Sequence, residues 1–162
     1  MTRSATQAVI RPATADDFDS VSAILAETNR FHTALLPDRF QIAVPIMTVE
    51  WFDDMLHDPS MTMFVALTDG SIVGLLLMEC LNTPDDTILV PRVYGYVAEL
   101  AIAHSHHRQG IGQQLMTHAQ TWAKERGATT IELHVWEANT GAIAFYEQLG
   151  YQTIQRTMRL AL

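Results

Sequence analysis

Cysteine is nearly absent. Cys80 is the only one in 162 residues, so no disulfide can form within the chain and no cysteine-based zinc site can be built. Charge is also scarce, at 17% of residues against roughly 25% in an average globular protein. Basic residues are the rarest part of it: 10 Lys and Arg face 18 Asp and Glu, for a formal net charge of −8. That balance makes the chain a poor candidate for sequence-independent nucleic-acid binding, which depends on cations neutralising phosphates. It suits cationic partners such as amines. Long apolar runs are missing too. The longest, Ile72–Met78, is far below the ~20 residues of a membrane span, and Met1–Ile10 lacks the apolar core of a signal peptide. No repeat, low-complexity tract or Gly/Ser linker divides the chain. What is present is 48% hydrophobic residues, enough for a packed core. The expectation is one cytoplasmic domain spanning residues 1–162, with neither nucleic acid nor membrane as a partner.

Periodicity and turn chemistry place the elements. A short strand is expected at Ala8–Arg11, closed by Pro12. Thr14 and Asp17 have capping-box spacing ahead of a helix whose apolar face is Phe18, Val21, Ile24 and Leu25. Phe31–Phe40 is mixed, with a turn at Pro37-Asp38, and a second helix covers Thr48–His57. Met61–Thr68 and Ser71–Cys80 read as a hairpin about Asp69-Gly70, and Leu81–Asp86 as a polar loop. Val93–Ala103 lacks strict alternation and suits a central strand covered on both faces. A helix over Gly110–Arg126 ends at Gly127. Strand Thr129–Val135, helix Thr140–Leu149 and a last strand Tyr151–Arg159 complete the order. The sum is a mixed, mostly antiparallel α/β sheet with helices on both faces and one parallel pair made by a βαβ unit.

The most informative segment is His107-Arg108-Gln109-Gly110-Ile111-Gly112, between a strand and a helix. Glycines there let a ligand approach the backbone, and the first-turn N–H groups and helix dipole favour an anion such as a pyrophosphate. The other reading is relief of crowding at a tight turn. Two nucleotide motifs fail. The dinucleotide fingerprint needs a third glycine where Leu115 stands, and the phosphate-binding P-loop needs a lysine where Gln113 follows Gly112.

Four features together resemble the GNAT acyltransferase superfamily. A strand carrying Glu99 enters the loop. His107–Gly112 looks like the family's pyrophosphate loop, Arg/Gln-x-x-Gly-x-Gly/Ala, although His107 stands where Arg or Gln is usual. Asn139 follows a strand and precedes a helix. Ala144-Phe145-Tyr146-Glu147-Gln148-Leu149-Gly150-Tyr151 is similar to the closing Phe-Tyr-x-x-x-Gly-Phe/Tyr segment. The opening Ile10-Arg11-Pro12-Ala13-Thr14 agrees more weakly.

The resemblance implies transfer of an acetyl group from acetyl-CoA to a primary amine, on a small molecule or a peptide, by direct attack. Glu99 would act as general base; its other role is to order the strand or hold the substrate ammonium. Tyr146 would protonate the leaving thiolate or contact the thiol; otherwise it is a core aromatic. Leu100, Ala101 and Ile102 would pair with the pantetheine arm. The His107, Arg108, Gln109, Gly110, Ile111, Gly112 and Gln113 segment would hold the pyrophosphate, and Asn139 would contact the CoA arm or simply cap a helix. The resemblance also implies a possible homodimer. Alternatives are an acyl-CoA-binding sensor without turnover, and another acyl group or a hydroxyl acceptor. His104, His106 and His107 lie too close in sequence to converge readily on one metal, so no metal is expected. Cys80 and Met61–Met63 read as core, as do Trp51, Phe52 and Met55 more readily than as an acceptor pocket. Phe31, His32 and Asp38–Phe40 are candidates for a substrate rim.

Overall fold

The computed structural model describes residues 7–85 and 88–161, which leaves Asp86 of the polar loop and most of Met1–Ile10 outside the described residues. In chain order the elements are β1 (Val9–Pro12), α1 (Phe18–Leu35), α2 (Val49–His57), β2 (Met61–Thr68), β3 (Ser71–Asn82), β4 (Val93–Ile102), α3 (Ile111–Glu125), β5 (Thr130–Leu133) and α4 (Thr140–Gln148). The five strands form one sheet in sequence order, antiparallel except for the parallel β4–β5 pair that α3 connects.

Local chemistry sets the boundaries. Asp17 accepts from the Thr14 N–H at 2.8 Å and takes the Arg11 guanidinium in a fork at 2.6 and 2.8 Å. This pins β1 to the start of α1. The fork holds the buried Asp17 carboxyl down at about 2. Thr48 caps α2 by accepting from the Trp51 N–H. Asp69 and Gly70 both take positive φ, 49° and 77°, as a two-residue type I′ hairpin requires.

Side chains alternate across the sheet and make two cores. Met63 and Val65 of β2 and Leu75 and Leu77 of β3 pack with Val21, Ile24, Phe52 and Met55 of α1 and α2. Phe64, Ala66, Leu76 and Met78 face the opposite way, onto Ile111, Leu115, Met116, Ala119 and Trp122 of α3.

One expected strand is not there. Tyr151–Arg159 is non-regular, and Ile154, Met158 and Leu160 are 77%, 92% and 82% exposed. Strand-like composition stabilises a strand only against a neighbour, and among the described residues this segment pairs with none. Its polar Gln155-Arg156-Thr157 stretch follows the chain outward, and Arg159 reaches Asp38 at 3.1 Å. Elsewhere α1 runs through Leu35, consuming half of the mixed Phe31–Phe40 segment, and β3 extends over Leu81 and Asn82.

Candidate active site

β4 carries a bulge. Leu77 pairs with Glu99 and Met78 with Val97, so Ala98 has no partner on β3. The extra residue reverses the alternation beyond it. Val97 lies in the α3 core, yet Ala101 lies in the α1–α2 core, and Glu99, two residues before Ala101, shares that second face. Without the bulge Val97 and Glu99 would point the same way.

The bulge also ends the β4–β5 pairing, which runs only from Tyr94↔Thr130 to Val97↔Leu133. Past it, β4 bonds to β3 on one side alone. Ala103 donates to the Val73 carbonyl at 2.8 Å, so by antiparallel alternation Ala101 and Glu99 also spend their backbone groups on β3, whereas Leu100 and Ile102 direct theirs to the open edge. Ala101 is thus set apart from its neighbours: its backbone belongs to β3 and its methyl to the core. The Ile102 carbonyl is engaged by His107 Nε2 at 2.8 Å. His107 therefore turns back toward the strand rather than toward the loop's hollow.

That hollow is built by backbone. Arg108 and Gly110 take positive φ, 59° and 82°, and Gly110 starts α3 with no side-chain cap. The first-turn N–H groups of Ile111, Gly112 and Gln113 have no preceding carbonyl in the helix to reach. They converge with the positive end of the α3 dipole, an arrangement that receives anionic oxygen. Gly112 serves packing as well: a Cβ there would meet the Phe145 ring at 3.2 Å, so its absence lets α4 lie against α3. Gln109 donates to the Ser105 carbonyl, and His104 N–H to Glu27 Oε1 at 2.7 Å, which ties the loop to itself and to α1. Asn139 caps α4, its Oδ1 accepting from the Ala142 N–H at 3.1 Å.

Glu99 opens into a cavity of about 680 Å³ between the sheet and α1, α2 and the segment joining them. Burial pushes its carboxyl from an ordinary 4.5 up to about 7. Tyr146 comes from α4 on the other face of the sheet, packed with Phe145 and Tyr151. Burial, then the Glu99 charge, then Tyr151, push its phenol up to about 12, so it keeps its proton at neutral pH. The arrangement offers a carboxyl raised toward neutrality on the cavity side, a protonated phenol on the opposite face of the sheet, an open strand edge and an anion-accepting helix start.

His32, Phe40 and Trp51 also line the cavity, whereas Phe52 and Met55 are core and Phe31 is exposed. Phe40 stacks on His32 and meets the edge of Trp136 at 5.5 Å. Sequence reasoning missed one polar pair. Tyr96 Oη lies 2.8 Å from His134 Nδ1, on the same sheet face as Glu99, with Glu79 directly across on β3. The visible signal was only Tyr96 three residues before Glu99 and a histidine at the end of the next strand.

Residues 22–151 match the acetyltransferase (GNAT) family, and the chain belongs to it. It is 32% identical over 99 residues to N-alpha-acetyltransferase 30 of Schizosaccharomyces pombe, covering 61% of this chain and 63% of that one. The chain thus spans less than two thirds of that relative's length. A mutant of a Bacillus halodurans protein superposes with a TM-score of 0.91 at 24% identity, over 95% of this chain and 99% of the other. An aminoglycoside acetyltransferase from an uncultured soil sample superposes at 0.69 with 22% identity, over 97% and 99%. At these identities the two superpositions show the fold alone. No helix among the described residues is long and apolar enough to cross a membrane.

Proposed function

We propose that the chain transfers an acetyl group from acetyl-CoA to a primary amine by direct attack within a ternary complex. The observation that carries this reading is Glu99, a half-buried carboxyl raised to about 7, set on the cavity side of β4 where that strand parts from β5. The residues suit an acyl-CoA donor. Leu100 and the Ile102 N–H can pair with an extended amide-bearing arm as a further strand would, and the Arg108–Gln113 turn suits a pyrophosphate. Acetyl-CoA supplies the activated thioester.

A free alkylamine is neutral in only roughly 1 molecule in 2,500 at pH 7, a deficit of about 4.6 kcal/mol. The ammonium first loses a proton through Glu99 to bulk water, which frees the nitrogen lone pair, and Glu99 then takes the second proton from nitrogen as the N–C bond forms. A backbone N–H on the open β4 edge polarises the thioester carbonyl. Tyr146 gives its proton to sulfur as the C–S bond breaks, and the proton held by Glu99 then replaces it. The products are the acetamide and the free thiol. The test is thiol release from acetyl-CoA across polyamines, amino acids, peptides and aminoglycosides. Acceptor-dependent release is expected. Acetyl-CoA binding with no release for any acceptor would make the chain a sensor instead.

A further inference from the structure

Resting on that reading, we propose that the acceptor is a primary amine carrying one positive charge on an apolar body of aromatic size, either a free amine or the N-terminus of a peptide with an apolar first residue. The cavity wall supplies the argument. Leu25, Ile46, Met63 and Leu77 give it an apolar lining, and His32, Phe40 and Trp51 give it aromatic surface.

Its neutral polar side chains are already engaged. The Thr28 hydroxyl donates to the Ile24 carbonyl, and Thr48 Oγ1 accepts from the Trp51 N–H. Asn29 donates to the Gln41 carbonyl at 3.1 Å and accepts from the Ala43 N–H at 3.0 Å. His32 is stacked on Phe40 with ring centroids 5.3 Å apart, and burial favours its neutral form. Glu99 is the one carboxylate of the lining. One ammonium therefore finds a partner, and the carbon skeleton behind it finds Leu, Met and aromatic surface. A second ammonium would be buried against apolar side chains with no counter-charge, which is costly. The formal charge of −8 does not alter this, because exposed charges beyond a Debye length are largely screened.

Matched acceptors test the proposal on the intact chain with acetyl-CoA. Hexylamine and 1,6-diaminohexane differ by one charged end, as 2-phenylethylamine and spermidine differ in apolar body and charge. Peptides beginning with Phe or with Lys separate a peptide source from a free amine. The expected kcat/KM is at least about tenfold higher for hexylamine than for the diamine. Thr28→Asp, which adds a carboxylate to the wall, is expected to shift that ratio at least about tenfold toward the diamine. Equal or faster turnover of the diamine or spermidine by the natural sequence overturns the proposal whether or not the variant folds. Silence with every amine while acetyl-CoA still raises Tm overturns the acceptor class and leaves the donor assignment standing. Failure of acetyl-CoA to bind overturns both.

Discussion

Replacing Glu99 by Gln separates catalysis, binding and stability in one variant. Raising the carboxyl from 4.5 to about 7 makes proton transfer from an alkylammonium roughly 3 kcal/mol less uphill than transfer to an ordinary glutamate. Removing a general base of this kind costs about 10²–10⁴-fold in rate. Glu99→Gln is expected to lower kcat/KM for an amine at pH 7 by about 10²–10³-fold and to abolish the inflection near pH 7. The acetyl-CoA dissociation constant should stay within about twofold, because the side chain faces away from the α3 side of β4. Stability should move the opposite way. The folded pKa lies above the unfolded one, so between pH 4.5 and 7 the folded state binds more protons, and stability falls as pH rises through that window. The variant escapes this penalty. It should match the natural chain near pH 4.5 and exceed it at pH 8 by up to roughly 3 kcal/mol in urea unfolding. A rate loss under about fivefold with an unchanged pH profile would refute the base assignment. A constant stability difference from pH 4.5 to 8 would refute the burial argument beneath it.

Tyr146→Phe should lower kcat about 10–100-fold with little change in amine KM, since a general acid acts in the transition state; steady-state kinetics read this directly. Asp17→Asn should destabilise the fold by roughly 2 kcal/mol at pH 7 by removing the Arg11 fork. Asp17 has a depressed folded pKa, so its contribution is full above pH 4 and fades as pH falls toward 2, and denaturant titrations at several pH values should show the two proteins converging there. Gly110→Ala forces an L side chain to φ 82°, costing about 1 kcal/mol, and should weaken acetyl-CoA binding several-fold by calorimetry.

Strong local signals were legible in the sequence. The Asp69-Gly70 turn, the Thr14/Asp17 capping box and the α3 stripe of Ile111, Leu115, Ala119 and Trp122 each depend on neighbours a few residues away. The family motif pointed to Glu99 and Tyr146 in the same way. The Ala98 bulge was not legible, because nothing in Val97-Ala98-Glu99 distinguishes an extra residue from an ordinary one. Only pairing with β3 reveals it. The last strand was misjudged for the related reason that composition cannot supply a partner edge. The cavity was only half visible: His32 and Phe40 stood out as rim candidates. Trp51 reaches the cavity while Phe52, beside it on α2, goes to the core, and helix orientation decides which.

The Ala98 bulge has a consequence for how this chain can diversify. The sheet acts as a partition, with the proposed donor-handling parts on the β4 edge and at α3 and α4, and the acceptor cavity walled by α1, α2 and their connection. A mutation at Leu25, Thr28 or Trp51 can retune what enters without disturbing Gly110 or Tyr146. Deleting Ala98 is the exception: Glu99 would then follow Val97 in plain alternation and keep its cavity side, but the bulge at which β4 parts from β5 would be gone. Acceptor preference is thus free to drift by single substitutions, while the one-residue offset in β4 must be inherited whole.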